Sequence, residues 1–238
     1  MRILLSSLFS FFVFCATCQT QDALRDSLSE LNRQIDLHPF NTDLLLKRGG
    51  VEIGLESWNS AIDTYSQVLK TDAKNPAALF YRAFAYEQLG RFTFARRDYE
   101  DYLKIVPFNY EGMLCLALLN HRDKHYTESY DQINTLIEMN PDSTHLYVAR
   151  ANMEEDRDMT EPAIYDWGCV IEREPDVAQH YINRARLYMQ EKKREEARRD
   201  LDKAVELGTP RNSLNYLYKH LEKKRMDAIE LKNKRHRK

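Results

Sequence analysis

Glycine and proline are both scarce in this sequence, seven of each among 238 residues. That scarcity disfavours a turn-rich all-β fold. Cysteine is scarce as well, and two of the four, Cys15 and Cys18, belong to an unusual N-terminal segment. Cys115 and Cys169 are left, too few for a disulfide framework, and they read as small, partly buried hydrophobes. Beyond the N-terminal segment there is no Gly-rich phosphate loop, no nucleophile elbow and no Cys-x-x-Cys pair. The sequence therefore argues against an enzyme and against a bound cofactor. Neither sign of charge dominates, since the formal net charge is −2. The balance is uneven along the chain, however. Lys219 to Lys238 holds nine Lys/Arg against three Asp/Glu, a net of +6, so the other 218 residues carry about −8.

Long apolar runs are also missing, with one exception. Ile3 to Phe14 is apolar apart from serines, follows Arg2, and precedes the small residues Cys15, Ala16, Thr17 and Cys18. This order reads as a secretory signal peptide over residues 1–18 and is too short to read as a membrane span. A cut after Cys18 starts the mature chain at Gln19. The rival reading is a lipoprotein cut before Cys18, although Thr17 stands where Gly, Ala or Ser is usual. Either way the expectation is an exported protein, periplasmic or envelope-associated. An exported chain is not expected to bind nucleic acid.

What is abundant is a period. Rows of 34 residues starting at Thr42, Pro76, Tyr110, Thr144 and Ala178 align without a gap. One column is Gly49, Ala83, Ala117, Ala151, Ala185, and another is Ala61, Ala95, Ser129, Ala163, Ala197. A third is large: Tyr65, Tyr99, Ile133, Trp167, Leu201. A fourth runs Val68, Tyr102, Leu136, Val170, Ala204, and a fifth runs Ala73, Pro107, Pro141, Pro175, Thr209. Each row divides into two helices. Leu79, Ala83 and Tyr86 share one helical face, and Ala95, Tyr99, Tyr102 and Leu103 share another. Gly90 supplies the turn between them, and Pro107 closes the second helix. Small columns let two helices approach closely.

A 34-residue helix–turn–helix unit with these columns resembles the tetratricopeptide repeat. Tyr81-Arg82-Ala83-Phe84-Ala85-Tyr86, then Leu89-Gly90-Arg91-Phe92 and Ala95, carries the resemblance best. Tyr181-Ile182-Asn183-Arg184-Ala185 with Ala197 and Ala204 is similar. The resemblance covers residues 42–211 in five repeats (42–75, 76–109, 110–143, 144–177, 178–211). It implies an all-α solenoid wound as a right-handed superhelix. Residues 19–41 read as an N-terminal half-repeat that caps the stack. Residues 212–231 read as a C-terminal capping helix, ahead of a basic tail at 232–238.

Two sets of residues are candidates for roles. Arg82, Arg150 and Arg184 share a column, and Asp98, Asp166 and Asp200 stand sixteen residues after them. The row that has Leu116 instead of Arg also has Gln132 instead of Asp. This pairing predicts structural salt bridges between the helices of a repeat. The second set follows from the resemblance, which implies that first helices line a concave groove for a peptide or partner protein. Its columns give Leu46, Phe80, Leu114, Val148 and Ile182; then Phe84, Leu118, Asn152 and Arg186; then Glu87 and His121. Phe80 and Phe84 are the best ligand anchors, because rigid aromatics suit that task. His121 and His125 have metal-chelating spacing but lack the accompanying Glu, so no metal site is expected. The alternative to a binding scaffold is an envelope assembly component acting by self-association or lipid anchoring. In that reading the basic tail or a lipidated Cys18 contacts a membrane surface.

Overall fold

The computed structural model describes residues 21–222. The segment read as a leader, with Cys18, lies outside the described residues. So do the basic tail and the last part of the segment read as a C-terminal cap. Among the described residues the chain is helical, without a strand. Helix α1 (Gln21–Leu37) precedes five helix pairs. These are α2 (Thr42–Gly54) with α3 (Trp58–Thr71), and α4 (Pro76–Gln88) with α5 (Phe92–Ile105). Then come α6 (Tyr110–Arg122) with α7 (Tyr126–Met139), and α8 (Thr144–Glu155) with α9 (Thr160–Arg173). The last pair is α10 (Ala178–Gln190) with α11 (Arg194–Glu206). A 3-10 turn (Arg211–Leu214) leads into α12 over 215–222.

Two compact units divide the chain, Met1–His125 and Tyr126–Lys238. The division falls between α6 and α7, inside the stretch read as the third repeat. In the first unit each helix from α1 to α5 packs on the next, and α2 also meets α4. In the second unit α7 to α11 pack successively in the same way. The small columns are withdrawn from solvent throughout. Ala83, Ala95, Ala117, Ser129, Ala151, Ala163, Ala185 and Ala197 are all 0% exposed. At Gly49 even a methyl is too much: an added Cβ falls 2.5 Å from the Tyr65 ring.

Helix ends are set by the same period. Asn41, Asn75 and Asn109 stand 34 apart, and each side chain accepts the N–H of the residue three further on, at 3.2, 3.0 and 2.8 Å. These are N-caps for α2, α4 and α6. Ser143 and Val177 hold the same place in the second unit and make no side-chain cap bond. The turn within each pair has one residue at positive φ: Glu56, Gly90, Lys124, Asp158 and Lys192, at 56°, 69°, 64°, 56° and 62°. The next residue donates its N–H back to Glu52, Tyr86, Asn120, Glu154 or Tyr188 at 2.8–2.9 Å, which closes the first helix. Only Gly90 holds this conformation without crowding a Cβ against the backbone.

The strained turns generate a direct expectation. Lys192 is exposed, so Lys192→Gly removes the left-handed penalty and little else. It is expected to stabilise the chain by about 0.5–1 kcal/mol, the steric relief less the entropy of glycine. Urea unfolding checks this, and a midpoint that stays put or falls counts against strain at the turn.

Candidate binding face and its polar framework

The arginine column is committed to the interior of each repeat. Arg82 grips Asp98 with two bonds, Nε to Oδ2 at 2.6 Å and Nη2 to Oδ1 at 2.8 Å. Arg150 holds Asp166 at 2.7 and 2.7 Å, and Arg184 holds Asp200 at 2.8 and 2.8 Å. The three carboxylates are 4%, 1% and 6% exposed, so each pair is largely withdrawn from water. The bidentate geometry is the strong form of this interaction. The remaining nitrogen reaches back to the preceding helix: Arg82 Nη1 donates to Ser66 Oγ at 3.0 Å and Arg150 Nη1 to Asn134 Oδ1 at 2.7 Å. For Arg184 that register position is Gly168, which has no side chain to accept the bond. In the first pair Arg48 donates to Thr64 at 3.1 Å and lies 3.7 Å from Glu52. Arginines engaged in this way are not available to a phosphate or carboxylate ligand.

A second polar framework lies behind the face read as the groove. Glu87 is 7% exposed and accepts from the Tyr99 hydroxyl at 3.2 Å and from Arg122 Nη1. Burial pushes its pKa up, against the pull of Arg122 and the Tyr99 hydroxyl. Glu155 repeats the motif in the second unit, accepting from Trp167 Nε1 at 2.7 Å. Both contacts join residues twelve apart, a first-helix glutamate to the polar edge of a second-helix aromatic. Glu154, 6% exposed, is pushed up to about 8 by burial and by the nearby Asp166. Burial likewise raises Glu52, although Thr64 and Arg48 oppose it. The Cys115 thiol is pushed up to about 12, chiefly by burial, so it is poorly suited to act as a nucleophile.

The face itself is smaller than the columns suggest. Leu114 and Ile182 are 4% and 6% exposed and belong to the interior. Glu87 is tied to Tyr99 and Arg122, and His121 is 8% exposed. These four are corrections to the groove expectation: they pack or pair between helices and present little surface to a ligand. Helix α6 ends at Arg122, so His125 lies beyond it and does not share a helical face with His121. In the first unit Leu46, Phe80, Phe84 and Leu118 are half-buried and remain accessible. Phe84 meets Trp58 edge-on, with centroids 5.9 Å apart. Phe80 sits among Tyr81, Tyr99 and Tyr102 at 5.4, 5.6 and 5.3 Å. A cleft of about 280 Å³ opens there between Ala77, Phe80, Tyr81, Tyr102, Val106 and Glu111. In the second unit Val148 packs against a buried cluster with Trp167, Asn152 is half-buried, and the exposed Arg186 donates to Tyr216 at 3.1 Å. Among the described residues no group of three or more His, Cys, Asp and Glu is placed to hold a metal ion.

Comparison with known proteins places this geometry in a class. Residues 46–110 and 178–207 each match a family model described as tetratricopeptide repeat. Among solved structures the chain resembles a tetratricopeptide repeat protein from Parabacteroides merdae, with TM-score 0.61, 24% identity, and coverage of 85% of this chain and 79% of that one. It also resembles MamA, with TM-score 0.61, 20% identity, and coverage of 70% and 91%. A third likeness is to YrrB, described as a TPR protein with an unusual peptide-binding site, with TM-score 0.58, 17% identity, and coverage of 75% and 92%. The fold is therefore all-α and of the tetratricopeptide type. A curated relative, the DnaJ homolog subfamily C member 7 homolog of Dictyostelium discoideum, is 24% identical over 197 residues. That match covers 76% of this chain, and the chain spans about 36% of the relative's length.

Two outcomes test the framework. Asp166→Ala leaves Arg150 without its counter-charge and is expected to cost about 3–5 kcal/mol, whereas Arg150→Met with Asp166→Leu costs much less. Urea unfolding of the three proteins decides it, and equal losses in single and double variants refute a buried pair. The second outcome concerns Glu154. An acid whose folded pKa is raised binds its proton more tightly in the folded state. Its contribution is thus full below its unfolded value, near 4.5, and is lost as pH rises through about 8. The melting temperature should accordingly fall less between those pH values in Glu154→Gln than in the unmodified chain. Parallel pH profiles would place the titration elsewhere.

Proposed function

We propose that the protein is a non-catalytic interaction module that takes a peptide or a segment of a partner protein on the exposed first-helix face of its first unit. The observation that carries this reading is the set of accessible apolar side chains Leu46, Phe80, Phe84 and Leu118 on that face, two of them aromatic. Rigid aromatics on a preformed surface give large contact area at low entropic cost. The peptide-binding site ascribed to YrrB, a protein of like fold, supports the same reading. Catalysis has little support: the Arg–Asp pairs and Glu87 are spent on structure, and the Cys115 thiol is held protonated. Export is proposed from the N-terminal apolar segment alone, with the envelope as the place where the partner is met. A secondary reading, assembly through self-association, draws on Phe40 and Phe108, exposed at 77% and 72% in the turns of the first unit.

The test uses Phe84→Ala with Leu118→Ala, first checked by circular dichroism and melting to be folded. Retention of a partner from envelope extract on the chain beginning at Gln19 is expected to drop at least tenfold in the variant, in keeping with about 1–2 kcal/mol for an anchor side chain. Undiminished retention would move the binding surface off this face. Concentration-dependent mass in sedimentation, unaffected by the substitution, would favour self-association instead.

A further inference from the structure

The cleft beside Phe80 has a chemistry of its own. Three aromatic rings form much of its wall, and they are set across one another. Phe80 and Tyr81 stand at 88° with centroids 5.4 Å apart, and Phe80 and Tyr102 at 59° and 5.3 Å. All three rings border the cleft, and Tyr81 is stacked on Tyr65 at 5.9 Å. Glu111, at the start of α6, contributes an exposed carboxylate to the same cleft. Among the described residues Glu111 makes no ion pair. The carboxylate lies in the first turn of α6, where the helix N-terminus favours a negative charge, and no side-chain cation is paired with it.

An anionic ligand would be repelled by Glu111. A purely apolar one would strip water from the carboxylate and offer nothing in return. A cation on an aliphatic stem satisfies every wall: the stem covers Phe80 and Val106, the charge lies over a ring face, and the carboxylate pairs with it. We propose that this cleft seats a lysine or arginine side chain of a partner's basic segment. The assignment rests on the reading that the first-helix face binds a partner, and it supplies the chemistry that partner must carry.

The probe is the peptide acetyl-Gly-Lys-Arg-Lys-Gly-amide, with a counterpart in which norleucine replaces Lys and citrulline replaces Arg. Each is titrated by NMR at low salt into the chain beginning at Gln19 and into Glu111→Gln. Glu111 is exposed, so this change is not expected to disturb folding. The expected result is binding of the basic peptide that weakens about tenfold in Glu111→Gln. Its side-chain methylene protons next to the charge should move upfield, shielded by the rings, and the neutral counterpart should not bind. Equal affinity for both proteins, equal affinity for both peptides, or binding without the upfield shift each overturns the proposal. Self-association lost in Glu111→Gln would make the occupant the basic tail of a second copy, which also overturns it. The broader reading fails separately: if Phe84→Ala with Leu118→Ala still retains the partner, the face is wrong whatever the cleft binds. If that pair loses the partner while Glu111→Gln leaves peptide binding intact, only the cleft assignment falls.

Discussion

The closest approach of paired helices governs the rest of the molecule. Where Ala83 faces Ala95's helix, and where Ala151 faces Ala163's, the last side-chain atom is a methyl carbon with no exposed surface. Side chains of that size let two backbones come near enough for longer neighbours to reach across. The reach of an arginine then determines what can stand opposite it. Sixteen residues on, an aspartate carboxylate meets the guanidinium squarely, at 2.6–2.8 Å in all three pairs. A larger residue in either small column would separate the helices and pull the pair out of bidentate geometry. The polar framework is therefore a consequence of the apolar one.

Buried ion pairs are weak evidence for stability, because desolvation of both charges offsets much of their attraction. Their value here lies in register. Arg82 and Arg150 each bind forward to an aspartate and backward to Ser66 or Asn134, so a slip of one position breaks bonds in two neighbouring helices. The glutamate–aromatic contacts work in the same sense. Tyr99 and Trp167 bring a hydroxyl and an indole N–H into places where Ile133 and Leu201 have none, and a glutamate twelve residues earlier accepts from each. In those other two rows the partner position is His121 or Met189. At Tyr99 and Trp167 the polar edge of a large interior residue is met by an acceptor, whereas buried Tyr65 in the first row has Ile53 at the partner position.

The helix count, the phase of the columns and the arginine–aspartate spacing were legible in the sequence, because each repeats with one period. Gly90 was legible as a turn because glycine advertises a left-handed residue. Lys124 was not, since its left-handed φ is imposed by the closed helix end around it rather than by its own side chain. The asparagine caps at 41, 75 and 109 did carry a signal, an Asn column one residue ahead of each first helix, but it stops at Ser143 and Val177. The groove columns misled at Glu87, His121, Leu114 and Ile182. A column fixes the direction in which a side chain leaves its helix. It does not say whether a neighbouring residue covers it. Glu87 is drawn inward by a cation from the next first helix, Arg122, a contact between rows that no spacing within a row reveals.

Tyr102 shows how one such contact between rows can create a site. Its column elsewhere holds Val68, Leu136, Val170 and Ala204, none of them aromatic. A ring there needs room on the following helix, and Gly112 provides it: a Cβ on Gly112 would lie 2.6 Å from the Tyr102 ring. The tyrosine and the glycine are thus a matched pair across the boundary between two repeats. Without the glycine the ring would have to leave its place, and the wall it shares with Phe80 would open. With it, an aromatic side chain stays half-buried in the wall that Glu111 also lines. A packing exception maintained by a second exception is what separates this cleft from the repeated framework around it.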